Sequence, residues 1–469
     1  MNHDTRTEHD AFGPVEVPAD RYWGAQTQRA LGVFAIGTER FPACLIRAFG
    51  LQKMAAARAN MHCGALDRPL GEAILQAADQ LRQGLHDADF PLTVWQTGSG
   101  TQTNMNANEV IANRANELLG QPRGTRSPVH PNDHVNASQS SNDSFPTVMH
   151  IAATLELQQR LLPALGVLHD KLADRTAAFK GVLKIARTHL MDAVPMTVDQ
   201  AFDAFTRQVA LGMDRVRDTL PRLRVLPQGG TAAGTGLNAP AGFDVAFCEA
   251  LSELTDTEFR PNPSKFEGMA VHDALVEASG ALNTLASSLV KMANDIRLLG
   301  SGPRCGLGEL VVPDDGLTSS IMPGKRNPTI AEVLAQAGLQ VMGNHMTITM
   351  ANASGNFELN VAKPLLIQNL LQSIRVLADA VGVFATRLVA GLELDHARLA
   401  ANVQNALLTV TVLNPVLGYD RVARIVRETV ASGKTPRQVT IELGFLTGDR
   451  YDCLVDAARM AVPHGTVSG

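Results

Sequence analysis

The chain has 469 residues, of which 45% are hydrophobic and 19% charged, with a formal net charge of -5. That is the balance of a globular enzyme with room for two or three domains. No long basic stretch supplies the clustered Lys and Arg that nucleic acid requires, and no apolar run is long enough to span a bilayer.

Aromatics are only 4% of the chain, while Ala and Leu abound, which predicts helices packed on helices. The start, MNHDTRTEHDAFG, is polar and lacks the apolar core of a signal peptide. Cys44, Cys63, Cys248, Cys305 and Cys453 are far apart and show no CxxC spacing. Reduced thiols in a cytoplasmic protein are the expectation.

Residues 1–140 are predicted as a mixed, mainly helical domain. Pro and Gly interrupt AFGPVEVPADRYWGAQTQ, and helical stretches follow over 42–64 and 68–87. A Gly-rich polar loop, TGSGTQTN at 97–104, then leads into a helix ending at Gly120, a C-terminal cap residue.

Residues 141–395 are predicted as a central domain of long helices. Ile151, Leu155, Leu162, Leu165, Leu168 and Leu172 recur at helical spacing, as do Leu282, Leu285, Leu289, Met292, Ala293 and Ile296 within 276–299. Similar stretches occupy 196–219, 329–351 and 362–391. Helices this long suit an elongated bundle, and Ala-rich helices with several apolar faces point to burial between subunits as well. GSGPRCGLGEL at 300–310 follows a helix rather than a strand, which rules out a dinucleotide loop. Residues 396–469 carry shorter helices broken at LNPVLGYD, ASGKTP and LGFLTGD, the pattern of a small helical C-terminal domain.

Four polar segments interrupt the helices: TGSGTQTN at 97–104, HPNDHVNASQSSND at 130–143, RTHLMD at 187–192 and DDGLTSSIMPGKRNP at 314–328. Taken singly, their Ser, Thr, Asn and Asp read as helix caps, the His as a satisfied histidine, and the Lys as a solvated charge. Taken together they supply hydroxyl and amide donors, a His that titrates near neutrality, a Lys and a Ser pair. That set suits proton abstraction next to a carboxylate, which needs a base, an anion cradle and an acid for the leaving group.

SSIMPGKRNP at 319–328 resembles the GSSxMPxKxNP signature of the fumarase/aspartase superfamily. EVPADRYWGAQTQR, WQTGSGTQTNMNANEVIANRA, RTHLMDAVP, GGTAAGTGLN, NPSKFEGMAVHDAL and ASGNFELNV are similar to class II fumarate hydratase, so the likeness runs over nearly the whole chain. Gly324, the KFEGMAVHDA segment and Cys305 favour the fumarase branch over the aspartases.

The resemblance implies a mainly α fold whose central helical bundle forms a tetrameric core flanked by two smaller domains. It implies reversible hydration of fumarate to malate, a step of the tricarboxylic acid cycle, with no cofactor and no metal. Each of four sites would be shared by three subunits of a homotetramer. One chain would give the substrate-binding residues Ser99, Gly100, Thr101, Ser140, Ser141 and Asn142, and a second Thr188 and His189. A third would give a mobile loop with Ser319, Ser320, Lys325, Arg326 and Asn327. The catalytic set would be Ser319, His189 and Glu332, the last orienting His189. His130, Pro131, Asn132 and Asp133 resemble the family's second dicarboxylate site, and a helix-capping turn reads equally well.

The loop departs from the family's usual PGSSIMPGKVNPTQ at Thr318, Arg326 and Ile330, and Ser127 stands where an Arg is expected near His130, with Arg126 one place off. These changes leave open a C–N lyase releasing fumarate, or a paralogue with a related dicarboxylate.

Overall fold

The computed structural model describes residues 4–317 and 319–462. Helices dominate, and among the described residues the strands pair only as two-stranded sheets. The N-terminal stretch, predicted as part of a mainly helical domain, begins instead with an antiparallel hairpin, Thr5–Asp10 on Gly13–Pro18.

Close contacts group the chain into two units, each gathered from three stretches. One comprises residues 1–163, 212–287 and 337–378; the other comprises 164–211, 288–336 and 379–469. The division at 140 and 395 follows changes in sequence texture, which is a separate criterion.

In the first unit, helix Ala43–His62 packs against Arg68–Arg82 and Phe243–Thr255. The approach to Arg68–Arg82 is close enough that a Cβ on Gly50 would lie 2.6 Å from the Arg82 backbone nitrogen. The core then runs through Phe49 to Phe145, whose rings meet edge-on at 5.9 Å. Helix Ser141–Glu156 passes through one wider turn, Leu157–Leu161, before Leu162–Ala178. Pro163 explains the wide turn, since it has no N–H to offer to residue 159.

In the second unit, Phe179, Phe202 and Phe205 stack edge-to-face along the start of helix Val198–Leu223. RTHLMD is not a loop between helices. It is the tip of an antiparallel hairpin, Leu183–Thr188 on Met191–Thr197. The C-terminal helices close on their own small core of Val410, Leu413, Val422, Ile425, Val439 and Tyr451.

Candidate active site

Two helix N-termini meet in the first unit. Helix Thr101–Leu118 begins after Gly100, whose φ of 78° suits a residue without a side chain. An added Cβ there would lie 2.1 Å from the Phe145 ring. Helix Ser141–Glu156 begins with a capping box: Ser140 Oγ accepts from the Asn142 N–H at 3.2 Å, and the Ser140 N–H donates to Asp143 Oδ1 at 2.9 Å.

Hydroxyls link the two ends. Ser99 Oγ lies 2.8 Å from Thr101 Oγ1, which lies 2.7 Å from Ser141 Oγ. Two positive dipole ends lined with hydroxyls and amides make a cradle whose donors suit a carboxylate. The structure thus brings together five of the predicted side chains, Ser99, Thr101, Ser140, Ser141 and Asn142, around Gly100.

Asp143 anchors the cradle from behind and was not singled out from the sequence. Its Oδ2 accepts from the backbone N–H groups of Gly229 at 3.0 Å and Thr231 at 2.9 Å. Asn142 Nδ2 donates to the Ala232 carbonyl at 2.9 Å, so GGTAAG lies against the helix start. Burial pushes the Asp143 carboxyl up to about 6, against the pull of its backbone bonds and of Lys53. Lys53, fully buried beside Gln139 and Asn136, is pushed down to about 7 by desolvation.

Thr188, His189, the 319–327 loop residues and Glu332 lie in the second unit, while His130–Asp133 stay in the first. Thr188 faces Met191 across a two-residue turn in which His189 and Leu190 have φ of 57° and 63°. Hairpin turns of this kind favour Asn-Gly, so His-Leu holds a strained backbone. The turn projects His189 outward, and Leu190 beside it is 79% exposed. The base of the hairpin is fixed by Arg187, which donates to buried Glu309 at 2.6 Å, with Asn402 on the same oxygen at 2.9 Å. The bonding raises the Arg187 pKa above its ordinary value.

Among the described residues, nothing hydrogen-bonds the His189 ring within one chain. Glu332, in the first turn of helix Thr329–Ala353, faces Arg297 at 3.5 Å.

Loop 314–328 is mostly exposed. The Met322 N–H donates to Ser319 Oγ at 3.2 Å, with the Ile321 N–H at 3.5 Å, and the Lys325 N–H closes the turn onto the Met322 carbonyl at 3.1 Å. Ser320, Lys325 and Asn327 follow on the same turn-rich segment. Arg326 is engaged with Asp314 at 3.1 Å across the base of the loop. Ile330 is the second residue of the helix after it. The expectation placed on Thr318 lies outside the described residues.

Near the N-terminal hairpin, His130 caps the turn Pro131–Val135: its Nδ1 accepts from the N–H groups of Asn132 at 3.3 Å and Asp133 at 3.1 Å. Its other ring nitrogen lies 2.5 Å from the Arg126 guanidinium, so the displaced Arg reaches His130 from one residue earlier. Burial first, then Arg126, lowers the His130 pKa. A cavity of about 240 Å³ adjoins Arg126, Pro131 and Asn132 and is also lined by Glu8, Asp10 and Glu109.

Comparison with known proteins places this helical scaffold in a class, the lyases. Residues 13–343 match the family model described as Lyase, and residues 409–462 match that described as Fumarase C C-terminus. The chain belongs to this lyase family.

Within it, the chain is similar to fumarate hydratases. It is 54% identical to a mitochondrial fumarate hydratase of Rhizopus oryzae over 95% of this chain and 91% of the relative. It is 52% identical to a class II fumarate hydratase of Thermosynechococcus vestitus over 99% and 100%. The crystal structure of class II fumarase from Schistosoma mansoni superposes with a TM-score of 0.95 at 42% identity, covering 98% of this chain and 100% of that one.

Proposed function

We propose that the chain catalyses the reversible hydration of fumarate to malate. The observation that carries this reading is the Ser99–Thr101–Ser141 hydroxyl chain at two converging helix starts, in a chain of the lyase family.

In the dehydrating direction, Ser319 as alkoxide takes the C3 proton of malate. The C–H pair flows into the adjacent carboxylate, giving an aci-carboxylate, and returns to form the C2–C3 double bond as the C2 hydroxyl takes a proton from His189 and leaves as water. A serine alkoxide needs strong local donors, and the Ile321 and Met322 amides aimed at Ser319 Oγ support that role. Lys325 and Asn327, with Ser320, hold the charged carboxylate, and the cradle of Ser99, Gly100, Thr101, Ser140, Ser141 and Asn142 holds the other. His189, with Thr188 beside it and oriented by Glu332, serves the water at C2. The Asp314 partnership of Arg326 favours a loop-holding role over substrate contact.

The site is completed across three subunits of a homotetramer, with no cofactor. The outward tip at His189, flanked by exposed Leu190 and Met191, supports a hairpin that reaches into a partner. A cytoplasmic location belongs to the same proposal. No helix among the described residues is long and apolar enough to cross a membrane.

The test is a substrate panel of fumarate, malate, mesaconate, aspartate and argininosuccinate. Loss of the ultraviolet absorbance of fumarate without added ammonia is the expected result. Turnover only with ammonia, or only on argininosuccinate, overturns the reading.

A further inference from the structure

Lys363 lies at the start of helix Lys363–Val383, 221 residues along the chain from the cradle residue it touches. Its side chain is completely buried. The backbone N–H donates to the Gly98 carbonyl at 3.0 Å, and the ammonium makes one long bond, 3.4 Å, to the Asn142 carbonyl. Gly98 and Asn142 stand in the two segments that form the cradle, so one residue fastens both from behind.

An ammonium has three donors, and this one has a single long partner among the described residues. Its surroundings lack a counter-charge of its own. Asp143 is the carboxylate that attracts it, and Asp143 also attracts Lys53. The Asp143 oxygens are already occupied by backbone N–H groups of Ser140, Gly229 and Thr231 and by Gln228. The other facing groups are His272 and, beyond it, His150. His272 is buried with neither ring nitrogen hydrogen-bonded, and desolvation holds both rings well below the usual histidine range. With both lysines protonated, two buried ammoniums face one carboxylate, and that surplus positive charge beneath the cradle is costly until an anion arrives.

We propose that Lys363 is a positioning residue for the dicarboxylate: it ties the two halves of the cradle together, and the substrate dianion bound in front supplies the negative charge that its ammonium lacks. The proposal rests on the fumarate reading. Desolvation pushes Lys363 down to about 7, so a dianion that stabilises the ammonium draws a proton from solvent when it binds at slightly alkaline pH.

The experiment uses the purified full-length protein and succinate as a non-reacting dicarboxylate. Calorimetric titrations at about pH 8 in two buffers of different ionisation enthalpy count protons taken up on binding. The wild type is expected to take up protons, and Lys363→Met and Lys363→Arg to lose that uptake. Lys363→Met should also raise the succinate Kd and the fumarate KM about ten- to hundredfold, the loss expected for one charge-assisted contact, with kcat changed less and Lys363→Arg in between. A merely structural lysine would not move the proton count.

Wild-type binding without proton uptake overturns the proposal and needs no variant to fold. So does a folded Lys363→Met protein with unchanged Kd and uptake. If the wild type hydrates fumarate while these results fail, the inference falls alone; if it does not hydrate fumarate, the functional reading falls first.

Discussion

Ser319 carries the most demanding chemistry assigned to any side chain here, because a serine hydroxyl gives up its proton only where the oxyanion is stabilised. Two backbone amides reach its oxygen within its own turn. Removing the hydroxyl in Ser319→Ala should lower kcat about a hundredfold or more, the scale of losing one group that acts only in the transition state, with a smaller change in KM. Near-normal kcat would end the role.

Asp143 invites a different measurement, since its carboxyl lies at about 6 against an ordinary 3.8. The folded chain holds this proton more tightly than the unfolded one, so the group's contribution is greatest below the lower value and is lost as pH rises through the upper. Melting curves between these values should show the wild type losing stability relative to Asp143→Asn as pH rises. Parallel curves would refute it. The polar segments that hold Ser99, Thr101 and Ser140–Asn142 were legible as donor-rich stretches before helices, because such clusters lie close together along the chain, while the choice of these residues came from the family resemblance. Asp143 and Lys363 were not legible, because their partners lie 86 and 221 residues away and neither spacing nor composition announces such contacts.

Among the elements, the long helices were readable because apolar residues at three- and four-residue steps face a core whatever that core contains. The hairpin behind His189 was not, since its turn uses His-Leu in place of Asn-Gly and its second strand contains Pro195, a residue that argues against strand in a sequence. The segment before helix Thr101–Leu118 shows how tightly the elements set the cradle. A Cβ on Gly98 would lie 1.3 Å from the Val361 carbonyl oxygen, and backbone cannot yield as a flexible side chain does. Gly98→Ala should therefore cost more than the about 1–3 kcal/mol of ordinary overpacking and separate the Ser99–Thr101 segment from Lys363. Denaturant unfolding together with succinate binding would show it, and a variant as stable and as tight-binding as wild type would contradict it.

At the level of the whole molecule, the exposed surface argues that one chain is not the working form. Along helix Thr329–Ala353, Leu339, Met346 and Met350 are exposed on one stripe at seven- and four-residue steps, with Met346 63% accessible. Apolar stripes of this length on a monomer mark an interface, and in symmetric assemblies the same stripe meets its own copy. A charge placed there would meet a like charge in a low-dielectric contact. Met346→Glu should convert a four-chain species in sedimentation velocity into smaller ones while leaving the helical circular dichroism in place. Because the hairpin tip of His189, the Ser319 loop and the cradle are assigned to different subunits, fumarate hydration should fall in step with dissociation and return where concentration restores assembly. A dissociated Met346→Glu protein that kept full activity per chain would show that each chain carries a complete site, and the three-subunit arrangement would have to be abandoned.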